Sequence, residues 1–216
     1  MRLLIEKGDL EGLGQALQSR PALANVPIHW VHNQANTSDP LHFVSDCVGL
    51  GWLAGEKAGS IARLLLAHGA AIDGSAGRET PLIAAASLGA GEVARVLMEA
   101  GAALERTSVF GARALHWAAW TGSAATVGRL VTHGASLEAR CSEFGATPLF
   151  WAIHGFGPAG PKPPTGQVEA ARLLIRAGAR IDTANKHGLA ALELAGQCEG
   201  RDMLGLLQEH AARPGA

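Results

Sequence analysis

Few side chains in this sequence have types and spacings that could do chemistry. His29 and His32 flank Trp30 and Val31, with Asp46 and Cys47 downstream, and together these carry the imidazole, carboxylate and thiol that zinc accepts. No second pair follows at finger spacing, so no metal is expected there. His154 could act as a general base, with Glu143 as the carboxylate that orients it, whereas Asp46 is expected to lie out of reach. Cys141 could be a nucleophile, but no base or electropositive stretch stands beside it in sequence. The glycines form no phosphate-cradling loop or dinucleotide fingerprint, and no Ser-His-Asp arrangement is visible. Catalysis is therefore not the leading expectation, and no cofactor is expected. A denser group is aromatic: Phe110, Trp117, Trp120, Phe144 and Trp151, with His154 among them. Large amphipathic rings of this kind suit a recognition surface or an apolar ligand pocket.

The elements that must position these residues recur along the chain. Gly-Ala pairs stand at 69, 101, 134 and 178; the step from 69 to 101 is 32 residues and from 101 to 134 it is 33. A period of this size means stacked copies of one supersecondary unit. The clearest copy runs from Gly77 to Glu105. Thr80 offers an N-cap hydroxyl, and Pro81 occupies the first helical position, where a missing N–H is harmless. Leu82 and Ala84 to Ala86 continue that helix, Gly89-Ala90-Gly91 breaks it, and Val93, Val96 and Leu97 share one face of a second helix. Gly101 ends the pair.

This pattern resembles the ankyrin repeat, two antiparallel helices with a projecting β-hairpin. The resemblance rests on Thr80-Pro81-Leu82 with Ala85-Ala86 and Gly89, and on Leu115-His116 with Ala118-Ala119 and Gly122. Thr147-Pro148-Leu149 with Ala152, Pro40-Leu41-His42 and the four Gly-Ala terminators continue the series. It implies an all-α repeat fold, an ankyrin-type solenoid of helix-turn-helix units joined by β-hairpin fingers. A capping unit over 1–38 would precede repeats near 39–76, 77–110, 111–144 and 145–187, with a C-terminal capping unit over 188–212 and a frayed tail beyond.

Two copies are longer than the others. From helix-opening residue to terminating glycine the distance is 20 residues for 81–101 and 114–134, but 29 for 40–69 and 30 for 148–178. The extra residues are expected in the turn between the two helices, where they either mark the binding side or are neutral loop growth. The first includes Trp52, the second Phe156 and the proline-rich run from Pro158 to Pro164.

The resemblance also implies a concave groove lined by finger tips and by the first helix of each pair. In that register the binding residues are Trp117, Trp120, Trp151 and His154 from the helices, Phe110 and Phe144 from the tips, and Asp46 from an earlier copy. Trp117 and Trp151 could instead fill space between helices, whereas Trp120 is expected to be exposed. His42 and His116 occupy the place of a histidine that hydrogen-bonds backbone and ties neighbouring units. His68 and His133, just before the glycine stops, suit the negative end of a helix. The stretch around His29 and His32 then reads as an irregular first finger.

Composition sets outer bounds. Of 216 residues 48% are hydrophobic, and 18 Lys and Arg against 19 Asp and Glu leave a formal charge of −1. That is enough apolar matter for a core and too little charge for an electrostatic nucleic-acid binder. Three widely spaced cysteines fit a reducing compartment, no apolar run is long enough to span a membrane, and the start is charged too early for a signal peptide. The expectation is a cytoplasmic module that binds an unidentified protein partner through an aromatic groove, with no nucleic-acid or membrane partner. The alternative is a pocket for a small apolar ligand, or a catalytic pocket, roofed by the two inserts.

Overall fold

Helices begin where the sequence supplies caps. In the computed structural model, which describes residues 1–30, 37–158, 160–161, 166–198 and 201–212, the Thr80 hydroxyl accepts from Ile83 N–H at 3.3 Å and the Thr147 hydroxyl accepts from Phe150 N–H at 3.4 Å. Each is followed by proline at the first helical position. The chain is mostly helical and divides into two compact units, Met1–Ala103 and Leu104–Ala216.

The first unit contains α1 (Arg2–Lys7), α2 (Leu10–Ser19), a 3-10 turn at Pro21–Asn25, β1 (Ile28–His29), β2 (Thr37–Ser38), α3 (Pro40–Gly49), α4 (Gly55–Ala67), α5 (Pro81–Ser87) and α6 (Gly91–Glu99). Helix α3 packs on α1 and α5, and α4 packs on α2 and α6, so first and second helices of successive pairs form separate rows. Leu41, Phe43, Ile61, Leu65, Leu82 and Leu97 are fully buried there. β1 and β2 pair antiparallel, Ile28 opposite Ser38 and His29 opposite Thr37. A hairpin therefore stands where the sequence suggested a first finger, although His32 lies outside the described residues. It is the one strand pair among the described residues.

The second unit contains α7 (Ala114–Thr121), α8 (Ala124–Thr132), α9 (Pro148–Phe156), α10 (Gln167–Arg176), α11 (Ala191–Gln197) and α12 (Arg201–Ala211). Helix α9 packs on α7 and α11, while α10 packs on α8 and α12. The segments before α7, α9 and α11 are turns rather than the expected β-hairpins. Each is closed across its mouth, by Ser108 N–H to Ala112 O at 2.8 Å, Cys141 N–H to Ala146 O at 3.0 Å, and Asn185 N–H to Leu189 O at 2.9 Å, with a second backbone bond inside the turn. Only three or four residues lie between the bonded ends. Adjacent tips are joined instead, Ser142 N–H donating to Phe110 O and Lys186 N–H to Phe144 O, both at 3.0 Å. At Gly111, φ is 65°, and a side chain would run into the Ser142 backbone.

A second kind of joint recurs in both units. The side chain at the end of one helix pair accepts from the backbone N–H two residues past the next terminating glycine. Asn25 holds Ala71 at 2.7 Å, Asp73 holds Ala103 at 2.9 Å, Glu105 holds Ser136 at 3.0 Å and Glu138 holds Arg180 at 2.8 Å.

The two long helix pairs absorb their extra residues differently. In the first, α3 is 10 residues against 7 for α5, and α4 is 13 against 9 for α6. Only the short connection 50–54 remains, so most of that insert is helix and not loop. In the second, α9 and α10 have 9 and 10 residues and the extra length falls in the connection 157–166. Ala159 and 162–165 of that connection, and the tail 213–216, lie outside the described residues. No helix among the described residues is long and apolar enough to cross a membrane.

Candidate aromatic binding pocket

The first helices of the second unit and the turns before them line a half-open apolar pocket of about 430 Å³. Helix α7 contributes Trp117 and Trp120, and α9 contributes Phe150, Trp151 and His154. Phe110, Phe144, Ala146, Asn185 and Leu189 come from the turns, and Leu194 from α11. Six of the seven residues expected to bind thus converge. The volume lies within the range typical of small-ligand and side-chain pockets.

Local sequence explains the convergence. Trp117 and Trp120 are three apart on α7 and so share a face, as do Trp151 and His154 on α9. The two helices approach closely because Gly155 has no side chain, and a Cβ there would strike the Trp120 carbonyl oxygen. Gln167 locks the same place, its Nε2 donating to Trp120 O at 3.2 Å. The rings then meet at steep angles. Trp117 and Trp151 have centroids 5.1 Å apart at 75°, and Trp117 and Trp120 are 6.0 Å apart at 85°. Phe110 lies 6.1 Å from Trp117 at 49°. Edge-on arrangements of this kind are favoured by ring quadrupoles.

Exposure sorts the rings. Trp151 is buried, joining the core of Ala112, Cys141, Ala146 and Phe150, and Trp117 and Trp120 are half-buried against it. Trp151 is thus core and pocket wall at once. Trp120 is less exposed than expected, because its edge-on contact with Trp117 covers it. Phe110 and Phe144 remain exposed at the rim, 38% and 42% accessible. The His154 side chain is exposed and has no hydrogen-bond partner among the described residues.

Few polar groups line the pocket. Trp117 Nε1–H donates to Ser108 Oγ at 3.2 Å, whereas the indole N–H groups of Trp120 and Trp151 meet no acceptor among the described residues. The Asn185 Oδ1 accepts from His187 N–H at 2.9 Å and Leu189 N–H at 3.1 Å, which leaves its amide nitrogen as a donor. No carboxylate and no Lys or Arg lines the pocket.

Other candidate residues lie elsewhere. Asp46 belongs to the first unit and is buried on α3, where Ser38 Oγ donates to it at 2.8 Å and His42 Nε2 lies 3.6 Å away. Trp30 Nε1–H completes this chain by donating to Ser38 Oγ at 2.8 Å. Burial raises the Asp46 carboxyl above the usual carboxylate range, against the opposing pull of His42 and the Ser38 hydroxyl. It is part of a buried network rather than a binding residue at the pocket. Burial likewise pushes the neighbouring Cys47 thiol up to about 12, with Glu6 and Asp46 adding to it, so it is not a thiolate at neutral pH. Cys141 is buried in the core beneath the rings. Glu143 is exposed and makes no bond to His154 among the described residues, so the base-orienter pair does not form in this structure. Among the described residues, no three His, Cys, Asp or Glu side chains gather to hold a metal ion.

His42 and His116 both reach backbone one helix pair ahead, at Glu79 O (3.4 Å) and Ala146 O (3.2 Å). His133 Nδ1 lies 2.8 Å from Arg129 O, in the last turn of its helix. Sequence reasoning missed Ala146, Phe150, Asn185 and Leu189. The turn pattern held the signal for the last two, since Asn185 follows Ser108 and Cys141 in the tip series. No protein-family model matches the chain, and no curated protein matches its sequence.

Proposed function

We propose that the chain is an ankyrin-type repeat array whose second unit binds an extended segment of a partner protein in the aromatic pocket. The observation that carries the reading is the convergence of Phe110, Trp117, Trp120, Phe144, Trp151 and His154 on one apolar cavity. Support for the array comes from the recurring joints and the two rows of helices. Rings that are half-buried at the wall and exposed at the rim combine packed support with accessible area, as binding hot spots do. Three widely spaced cysteines favour a reducing compartment, and the cytoplasm is the location proposed.

A small apolar ligand is the second reading, favoured by the cavity volume of about 430 Å³. Against a roofed pocket, no described residue of either insert lines it. The test is to pan a displayed library of twelve-residue peptides against the whole chain. Selected peptides should share apolar anchors, and Trp120→Ala should weaken them by about thirtyfold, on the order of 2 kcal/mol, with an unchanged circular dichroism spectrum. If no selected peptide is sensitive to Trp120→Ala in the folded protein, the assignment is wrong.

A further inference from the structure

The long connection 157–166 reaches the framework of the pocket without lining it. Gly160 and Gly166 belong to that connection and Gln167 opens α10, and none of the three is a wall residue. Each is fitted to the backbone that carries Trp120. The Trp120 carbonyl lies in the last turn of α7, where carbonyls have no intrahelical donor. Gln167, 1% exposed, supplies a donor through its Nε2 at 3.2 Å. Its Oε1 accepts from Gly166 N–H at 3.1 Å.

Close backbone approaches surround this bond. A Cβ at Gly155 would strike the Trp120 carbonyl oxygen, and one at Gly160 would strike the Gly155 carbonyl oxygen. At Gly166 a Cβ would strike the Gly122 carbonyl oxygen, and Gly122, with φ at 74°, meets the Gln167 side chain. Gly160 therefore backs Gly155, Gly155 backs Trp120, and Gly166 with Gln167 backs the end of α7. Main chain fills this space, and main chain cannot yield by changing rotamer. At eight residues, α7 is shorter than a helix needs to be stable alone. Its last turn carries the Trp120 ring, edge-on to Trp117 at 6.0 Å.

Resting on the reading of this cavity as a peptide site, we propose that Gly160, Gly166 and Gln167 are positioning residues for it. They form a brace behind α7 that fixes the Trp120 backbone, and with it the angle between two rings of the pocket wall. The connection thus shapes the pocket from behind, and changes in it reach a bound peptide through Trp120.

The experiment compares nitrogen-15 correlation spectra of the full chain, whose five tryptophans give five indole N–H signals. Gln167→Met keeps the buried volume and removes the bond to Trp120, while Gly160→Ala sets a methyl group against Gly155. Both should shift the Trp117 and Trp120 indole signals, because moving one ring of an edge-on pair changes the ring current at the other. The Trp30 signal, from the first unit, should stay in place. A library-selected peptide should bind each folded variant about two- to thirtyfold more weakly than the parent. Folded variants that melt lower but keep the parent's indole signals, or its peptide affinity, overturn the proposal. Should neither variant fold, the parent decides. Its Gln167 side-chain amide protons should exchange with water far more slowly than those of exposed Gln18, and equal rates overturn the brace. If no library peptide binds the parent while the indole signals still shift in the variants, the peptide-site reading falls and the brace on Trp120 does not.

Discussion

His116 shows how a buried polar residue can be satisfied in only one protonation state. Its Nδ1 accepts from Arg113 N–H at 3.1 Å, so Nε2 must carry the proton and donate to Ala146 O. Protonation would set two N–H groups against each other at Nδ1. Burial is the main cause that lowers its pKa to about 4, with the Arg113 charge adding. In the unfolded chain the same imidazole takes a proton near pH 6.5. Between these values the unfolded state binds more protons, so this group's contribution to stability is complete above about pH 6.5 and is lost as pH falls to about 4. The amount is on the order of 3 kcal/mol. Urea unfolding at pH 7.5, 6, 5 and 4 should show a steeper loss for the parent than for His116→Gln, and parallel curves would contradict this account. Arg113-Ala114 stands here where Thr80-Pro81 and Thr147-Pro148 open other helices, and the Arg113 backbone N–H is the imidazole's donor, a bond that side-chain patterns do not display.

Between elements, the pocket depends on how closely α7 and α9 approach. Gly155→Ala places a methyl group against the Trp120 carbonyl, so the helices must part. Overpacking of this kind costs about 1–3 kcal/mol. The variant should melt lower than the parent, and any peptide bound at the pocket should weaken. A melting temperature and affinity equal to the parent's would show that the helices have room to spare. Helix existence, caps and the aromatic face were legible in the sequence because they depend on residues three or four apart or on a Thr-Pro pair. Helix lengths were not: nothing local distinguishes a longer helix from a longer loop across Val48 to Gly55, and the structure extends α3 and α4 there. Asp46 was misplaced for a related reason. Its register matches His154 in the pattern, but Ser38 and Trp30 from the preceding hairpin cover it.

For the whole molecule, each unit has its own buried core, and the two can be probed separately. Leu97 on α6 is fully buried in the first unit, so Leu97→Ala should destabilise by about 2–5 kcal/mol. Amide exchange should accelerate through α3 to α6 by the corresponding factor; unchanged exchange there would mean Leu97 is not a packing residue. The joints that follow each terminating glycine have a wider consequence. At every one, the giving side is a main-chain amide, and Ala71, Ala103, Ser136 and Arg180 serve equally well. The amide side of the joint therefore makes no demand on residue type, and substitutions at these four positions other than proline leave the bond in place.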